Sequence, residues 1–152
     1  MGSSASANLF YGYVFDQEGV FPWENENDDY EISESRRDRN WEVEHYWLHI
    51  VLGKSEEEID SMEYKVRRDL TKNIAVEVCS WGALYDGSSC YYIRPKDKKA
   101  DICVSWDTPT VIKPSEMPVN SEWDTVLKKF ARDIMIDLKG QTPAWHLVAS
   151  YG

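Results

Sequence analysis

The sequence has no long apolar stretch. No run reaches the roughly 18 consecutive apolar residues that a bilayer-spanning helix needs, so no membrane partner is expected. The opening MGSSASANLF has neither a positive charge nor an apolar core, so it does not read as a secretory signal, and MGSS matches a myristoylation start only loosely. There is no glycine-rich phosphate loop, no nucleophile elbow around SWGALYDGSS, and no His-Glu-x-x-His zinc motif. Cysteine is scarce and odd in number, which argues against a secreted disulfide framework. Cys79, Cys90 and Cys103 sit in VEVCSW, SSCYYI and DICVSW, and are expected to be small buried thiols of a reduced, cytoplasmic protein. Finally, residues 1–35 contain no Lys or Arg at all.

That last absence has a counterpart. The same segment holds Asp16, Glu18, Glu24, Glu26, Asp28, Asp29, Glu31 and Glu34, eight of the chain's 27 acidic residues. The remainder sets 19 acids against 17 bases and is nearly neutral, so most of the net charge of −10 is concentrated at one end. Phosphate contacts need clustered Lys and Arg. The basic clusters here are short (Arg36, Arg37 and Arg39; Arg67 and Arg68; Lys96, Lys98 and Lys99) and have acidic neighbours, so direct nucleic-acid binding is not expected. An acidic surface suits a basic partner instead. Charge alone is also explained by a solvated loop that keeps the protein soluble.

At 152 residues the chain reads as one domain, long enough to bury a core without a metal or disulfide staple. NLFYGYVF (8–15) is aromatic and β-branched enough for a strand. Residues from about 16 to 35, rich in Asn, Asp and Glu and punctuated by Gly19 and Pro22, read as an irregular acidic segment. WEVEHYWLHIVLG follows and ends at Gly53; its Trp, Val, Ile and Tyr content favours a central strand. Ser55 and Glu58 form a capping box, and Ile59, Met62, Val66 and Leu70 predict one helix over 56–71. Residues 74–94 read as a hairpin turning at YDGSS, KDKK as a turn, and ADICVSW as a third strand. DTPTVIKPSEMP is a loop. A second helix, capped by Ser121 with Asp124 and ended by Gly140, has the stripe Val126, Leu127, Phe130, Ala131, Ile134 and Leu138. AWHLVAS is a closing strand. The expected fold is α+β: an antiparallel sheet packed against two helices.

His45 and His49 are the most conspicuous titratable pair. On a helix they would share a face, as in two-His zinc sites, but no third ligand lies nearby in sequence. On a strand they are core imidazoles, which is the expectation. A Cys79 or Cys90 nucleophile with His45 or His146 has no local support. ENENDDYE has calcium-friendly ligands without the glycine that the standard loop requires. No cofactor or metal is therefore expected.

Taken together, NLFYGYVF, VEVCSWGALYDGSSCYYI and TPAWHLVASYG resemble, in aromatic and glycine placement, a loose pattern in small uncharacterised accessory proteins of tailed bacteriophages. The resemblance implies the cytoplasm of an infected bacterium and a protein that acts by binding a host or defence component. The leading expectation is a non-enzymatic inhibitor. Its Glu24, Glu26, Asp28, Asp29 and Glu31 would pair with the Lys and Arg of a basic, nucleic-acid-binding host or defence protein, with Trp23 and Tyr30 as anchors. The alternatives are a binder that sequesters a nucleotide signal in an aromatic pocket, and a His- or Cys-dependent enzyme. A homodimer is also compatible with the sequence.

Overall fold

The computed structural model describes residues 5–15, 39–81, 90–104 and 109–151. In chain order the elements are β1 (Ala5–Phe15), α1 (Arg39–Leu52), α2 (Glu56–Asp60), α3 (Tyr64–Thr71), β2 (Val76–Trp81), β3 (Cys90–Pro95), β4 (Asp101–Val104), α4 (Ser121–Asp133) and β5 (Ala144–Tyr151). All strand pairs are antiparallel, giving the expected α+β class. Among the described residues no helix is long and apolar enough to cross a membrane.

The long strand β1 organises the sheet. Its residues Ala7–Phe10 pair with β4, Ala5–Gly12 with β5, and Tyr13–Phe15 with β3, which in turn pairs with β2. Period-2 alternation splits β1 between two cores. Tyr11, Tyr13 and Phe15 join Val76, Val78, Tyr91 and Ile93 under the helices, where Val43 and Tyr46 of α1 and Trp123, Leu127, Phe130 and Ala131 of α4 cover them. Phe10 instead joins Tyr92 and Val148 in a second, smaller cluster, with its ring stacked on Tyr92 at 3.8 Å.

Gly12 is the seam between these halves. The β5 ladder ends there, opposite Ala144, and the β3 ladder begins at the next residue. The β3 backbone passes so close that a Cβ on Gly12 would lie 1.9 Å from the Ile93 carbonyl oxygen and 3.3 Å from the Arg94 Cα. Only glycine permits that approach.

Residues 39–52 form a helix, not the expected strand. Its buried positions, Glu42, Val43, His45, Tyr46 and Leu48, follow helical spacing. Two of them are polar, which hid the apolar period, and the β-branched and aromatic content then misled. Gly53 ends the helix with φ +64°, as its position suggested.

The capping box is present: the Ser55 N–H donates to Glu58 Oε2 (2.9 Å) and the Glu58 N–H to Ser55 Oγ (3.2 Å). The helix it starts stops after one turn. The Ser61 hydroxyl donates to the Glu58 carbonyl (3.2 Å), Glu63 turns extended, and a separate α3 follows. Val66, expected inside, is exposed.

In α4 the cap is Asn120, whose side-chain oxygen accepts from the Glu122 N–H (2.9 Å), rather than Ser121. The helix ends at Asp133, and Gly140 (φ +72°) belongs to a later turn. The buried stripe is otherwise as read, with Val126 and Leu138 partly buried at its margin. The Tyr11 hydroxyl donates to Asp124 Oδ1 (2.6 Å) and pins α4 to β1.

Two outcomes follow. Gly12→Ala will lower unfolding stability by about 3 kcal/mol or more, because the added methyl meets backbone that has no room to yield; an unchanged denaturation midpoint contradicts the seam. Tyr13, fully buried, has a hydroxyl without a hydrogen-bond partner among the described residues. Tyr13→Phe will therefore leave stability unchanged or raise it by about 1 kcal/mol, and a large loss in urea unfolding would show a missing partner.

Candidate functional site

Trp23, Glu24, Glu26, Asp28, Asp29, Tyr30 and Glu31 lie outside the described residues, as do the YDGSS turn and the ENENDDYE run. What the structure fixes is where the acidic segment is attached. It leaves from Phe15, at the end of the seam strand, and returns at α1. The start of α1 is held on the sheet by Asn40, whose Oδ1 accepts from the Val78 N–H (3.3 Å). Both attachment points thus belong to the main core.

His45 and His49 lie one turn apart on α1 and His146 lies on β5, and each has an internal partner. His45 is buried, with Nε2 3.4 Å from Asp60 Oδ1 and its ring 4.8 Å from that of Trp41, so it ties α1 to α2. Burial holds its pKa below the ordinary value, against the opposing pull of Asp60. The His49 Nδ1–H donates to the Lys54 carbonyl (2.8 Å) and closes the end of α1. The His146 Nε2–H donates to the Gly12 carbonyl (3.1 Å), and its ring stacks on Phe10 at 5.5 Å. Burial again lowers its pKa. His45 faces α2 and His146 lies in the small cluster, so they do not meet. Among the described residues no group of three or more His, Cys, Asp or Glu is arranged to hold a metal ion.

Cys79 is half-buried beside Tyr92 and Arg94, and desolvation pushes its thiol pKa up. That favours the thiol over the nucleophilic thiolate. Cys103 is exposed rather than buried, a correction to the expectation for the cysteines.

A polar strip that sequence reading missed lies on the small-cluster side. The β2–β3 register sets Glu77 opposite Arg94 and Cys79 opposite Tyr92. Arg94 Nη2 reaches Glu77 Oε2 at 2.7 Å and Asp101 Oδ2 at 3.3 Å, clamping β2, β3 and β4 together. Arg94 Nε and Asp101 Oδ1 are buried without a hydrogen-bond partner among the described residues. With Lys96, Asp97 and Lys98 these residues line an open pocket of about 260 Å³. Its acids are engaged: Glu77 and Asp101 with Arg94, and Asp97 with the Lys99 N–H (2.9 Å) and the Trp123 indole N–H (3.1 Å). Three acids here face three bases, and among the described residues the Lys96 and Lys98 side chains stand outside that network, where they could meet an anion. The sequence carries the Glu77/Cys79 and Tyr92/Arg94 alternation followed by KDKK, but not the strand register that brings Glu77, Arg94 and Asp101 together.

No protein-family model, curated protein or solved structure matches the chain.

The histidines set a pH dependence. Both His45 and His146 titrate below the ordinary value of 6.5, so between that value and their folded-state pKa values the unfolded chain binds more protons. Their contribution is fully present above about pH 6.5 and is lost as pH falls through the lower folded-state values. Urea midpoints will therefore drop on acidification below about pH 6.5, before Glu58 and Asp97 protonate, since hydrogen bonds hold both acids below their usual range. The double variant His45→Gln/His146→Gln will flatten that limb. An equally steep limb in the variant would assign the dependence to other groups.

Proposed function

We propose that this chain is a non-enzymatic binding protein whose acidic, aromatic segment between β1 and α1 occupies a basic surface of another protein. The observation that carries the reading is the concentration of eight acids, with no Lys or Arg, in the first 35 residues of a chain that is otherwise nearly neutral. The residues that flank the segment are anchored in the main core, Phe15 by burial and Asn40 by its bond to the Val78 N–H. Among the described residues the three histidines are engaged in the fold, His45 with Asp60, His49 with Lys54 and His146 with Gly12, and Cys79 is a half-buried thiol whose pKa is raised.

The partner class is a nucleic-acid-binding protein, because its Lys- and Arg-lined groove is the complement of such a segment. In the setting implied by the phage resemblance, that protein belongs to the host or to its defence.

The test is capture from bacterial lysate by the wild-type chain and by a variant carrying Glu24→Lys, Glu26→Lys, Asp28→Lys, Asp29→Lys and Glu31→Lys. The expected result is a nucleic-acid-binding protein held by the first, lost by the second, and released by raised salt, because exposed charges are screened within about 8 Å at physiological ionic strength. Added nucleic acid will compete for it. Capture that is indifferent to the five reversals and to salt would sink the reading.

The polar pocket favours a second reading, a small-anion binder. A thermal-shift series with inorganic phosphate, nucleotides and dicarboxylates distinguishes it. A ligand at 100 times its dissociation constant adds about 2.7 kcal/mol of stability, and Lys96→Ala/Lys98→Ala will abolish the shift. No shift with any of these anions removes that reading.

A further inference from the structure

Among the described residues the sheet has three outer strands, and two of them are protected. β4 is only four residues long and begins at Asp101, just after Lys98 and Lys99. β2 carries Glu77 and lies under α1, with Val76 and Val78 buried there. Short edges and charged edge residues are the usual guards against further strand pairing. β5 has neither. It runs for eight residues, AWHLVASY, with no Lys, Arg, Asp, Glu or Pro, and among the described residues its ladder is with β1 alone.

The face beside that edge is also unguarded. The β1 registers align Ile102, Leu9 and Leu147 in one row and Val104, Ala7 and Ala149 in the next. These rows continue the face on which Tyr11 lies against Trp123 and Trp145 (5.5 and 5.8 Å). Trp123 covers that face at Tyr11. Farther along, Leu147 is 67% exposed, Ala149 is exposed, and Ala7, Ile102 and Val104 are half-buried. A solvent-facing side of an antiparallel sheet is ordinarily polar; Leu9 at the centre is buried, and the five side chains around it that solvent reaches are all apolar.

We infer that β5 is a self-association edge, and that two copies of the chain pair antiparallel through it across a twofold axis at Leu147. Three features favour a second copy as the occupant. A chain of net charge −10 repels itself wherever its acids face, and β5 offers a strip without Asp, Glu, Lys or Arg, whose one histidine, His146, burial holds toward its neutral form. An isologous contact must be complementary to itself. Centring the pairing on Leu147 keeps both apolar faces on one side, as period-2 register demands. It sets Leu147 against its own copy and Trp145 against the partner's Ala149, so large meets small on either side of the axis. The two sheets then become one continuous sheet, and the outer backbone groups of β5 find partners. This inference is independent of the acidic segment.

The test is the sedimentation or light-scattering mass of the full chain over a wide range of concentration. The mass is expected to rise from 17.7 kDa toward twice that value. Leu147→Lys, at an exposed position that does not threaten the fold, will hold the chain monomeric. Val119→Lys, at an 80% exposed site outside the strands, will leave association unchanged. Geometry is read separately in a Cys103→Ser background, where Leu147→Cys will form an intermolecular disulfide on mild oxidation and Val119→Cys will not. A monomer at every concentration, or a dimer unaffected by Leu147→Lys, overturns the inference.

Discussion

The close approach of β3 to β1 at Gly12 is the constraint on which the rest of the architecture depends. One strand cannot continue as a flat ribbon while a second backbone crosses within van der Waals distance of its Cα, unless that residue has no side chain. The crossing gives β1 two environments. Beyond Gly12 its aromatic residues lie with β2 and β3 beneath α1 and α4; before it, β1 is flanked by β4 and β5. The small cluster of Phe10, Tyr92 and Val148, and the hydrogen bond from His146 to the Gly12 carbonyl, secure the seam from the side away from the helices. The acidic segment begins four residues beyond Gly12, just after Phe15.

Polar side chains are used sparingly inside, and mostly to join elements. Tyr11 with Asp124 joins the seam strand to α4, Trp123 with Asp97 joins α4 to the turn after β3, His45 with Asp60 joins α1 to α2, and Arg94 joins three strands. Each is a partnered polar group at an element boundary, where it fixes a relative position that apolar contact alone leaves loose. The acidic residues are distributed differently from these links, mostly toward one end of the chain. The body is a nearly neutral scaffold, while most of the net charge resides in a segment tethered to it at both ends.

Much of the sheet was legible from the sequence, because strands half-buried on both sides still carry aromatic and β-branched residues between turn formers. The hairpin of β2 and β3, the closing strand and the stripe of α4 were all visible. The helix at 39–52 was not, since Glu42 and His45 occupy buried positions and break the apolar period, and tertiary packing overrides a β-like composition. The break at Ser61 was hidden because Ile59, Met62, Val66 and Leu70 keep helical spacing across it. The Glu77–Arg94–Asp101 clamp was out of reach for a different reason: it depends on a register between three strands. The candidate partner-binding residues were read from charge alone, which gives sign and location along the chain but no geometry.

The central claim is that recognition resides in the acidic segment rather than in the pocket or the histidines. The most direct measurement is amide hydrogen exchange of the chain with and without the partner it captures, resolved by peptide. The account predicts that protection gained on binding is concentrated in residues 16–38, with the Lys96–Asp101 turn and the histidine-bearing peptides unchanged. Protection concentrated at that turn, with 16–38 exchanging as in the free chain, would contradict it.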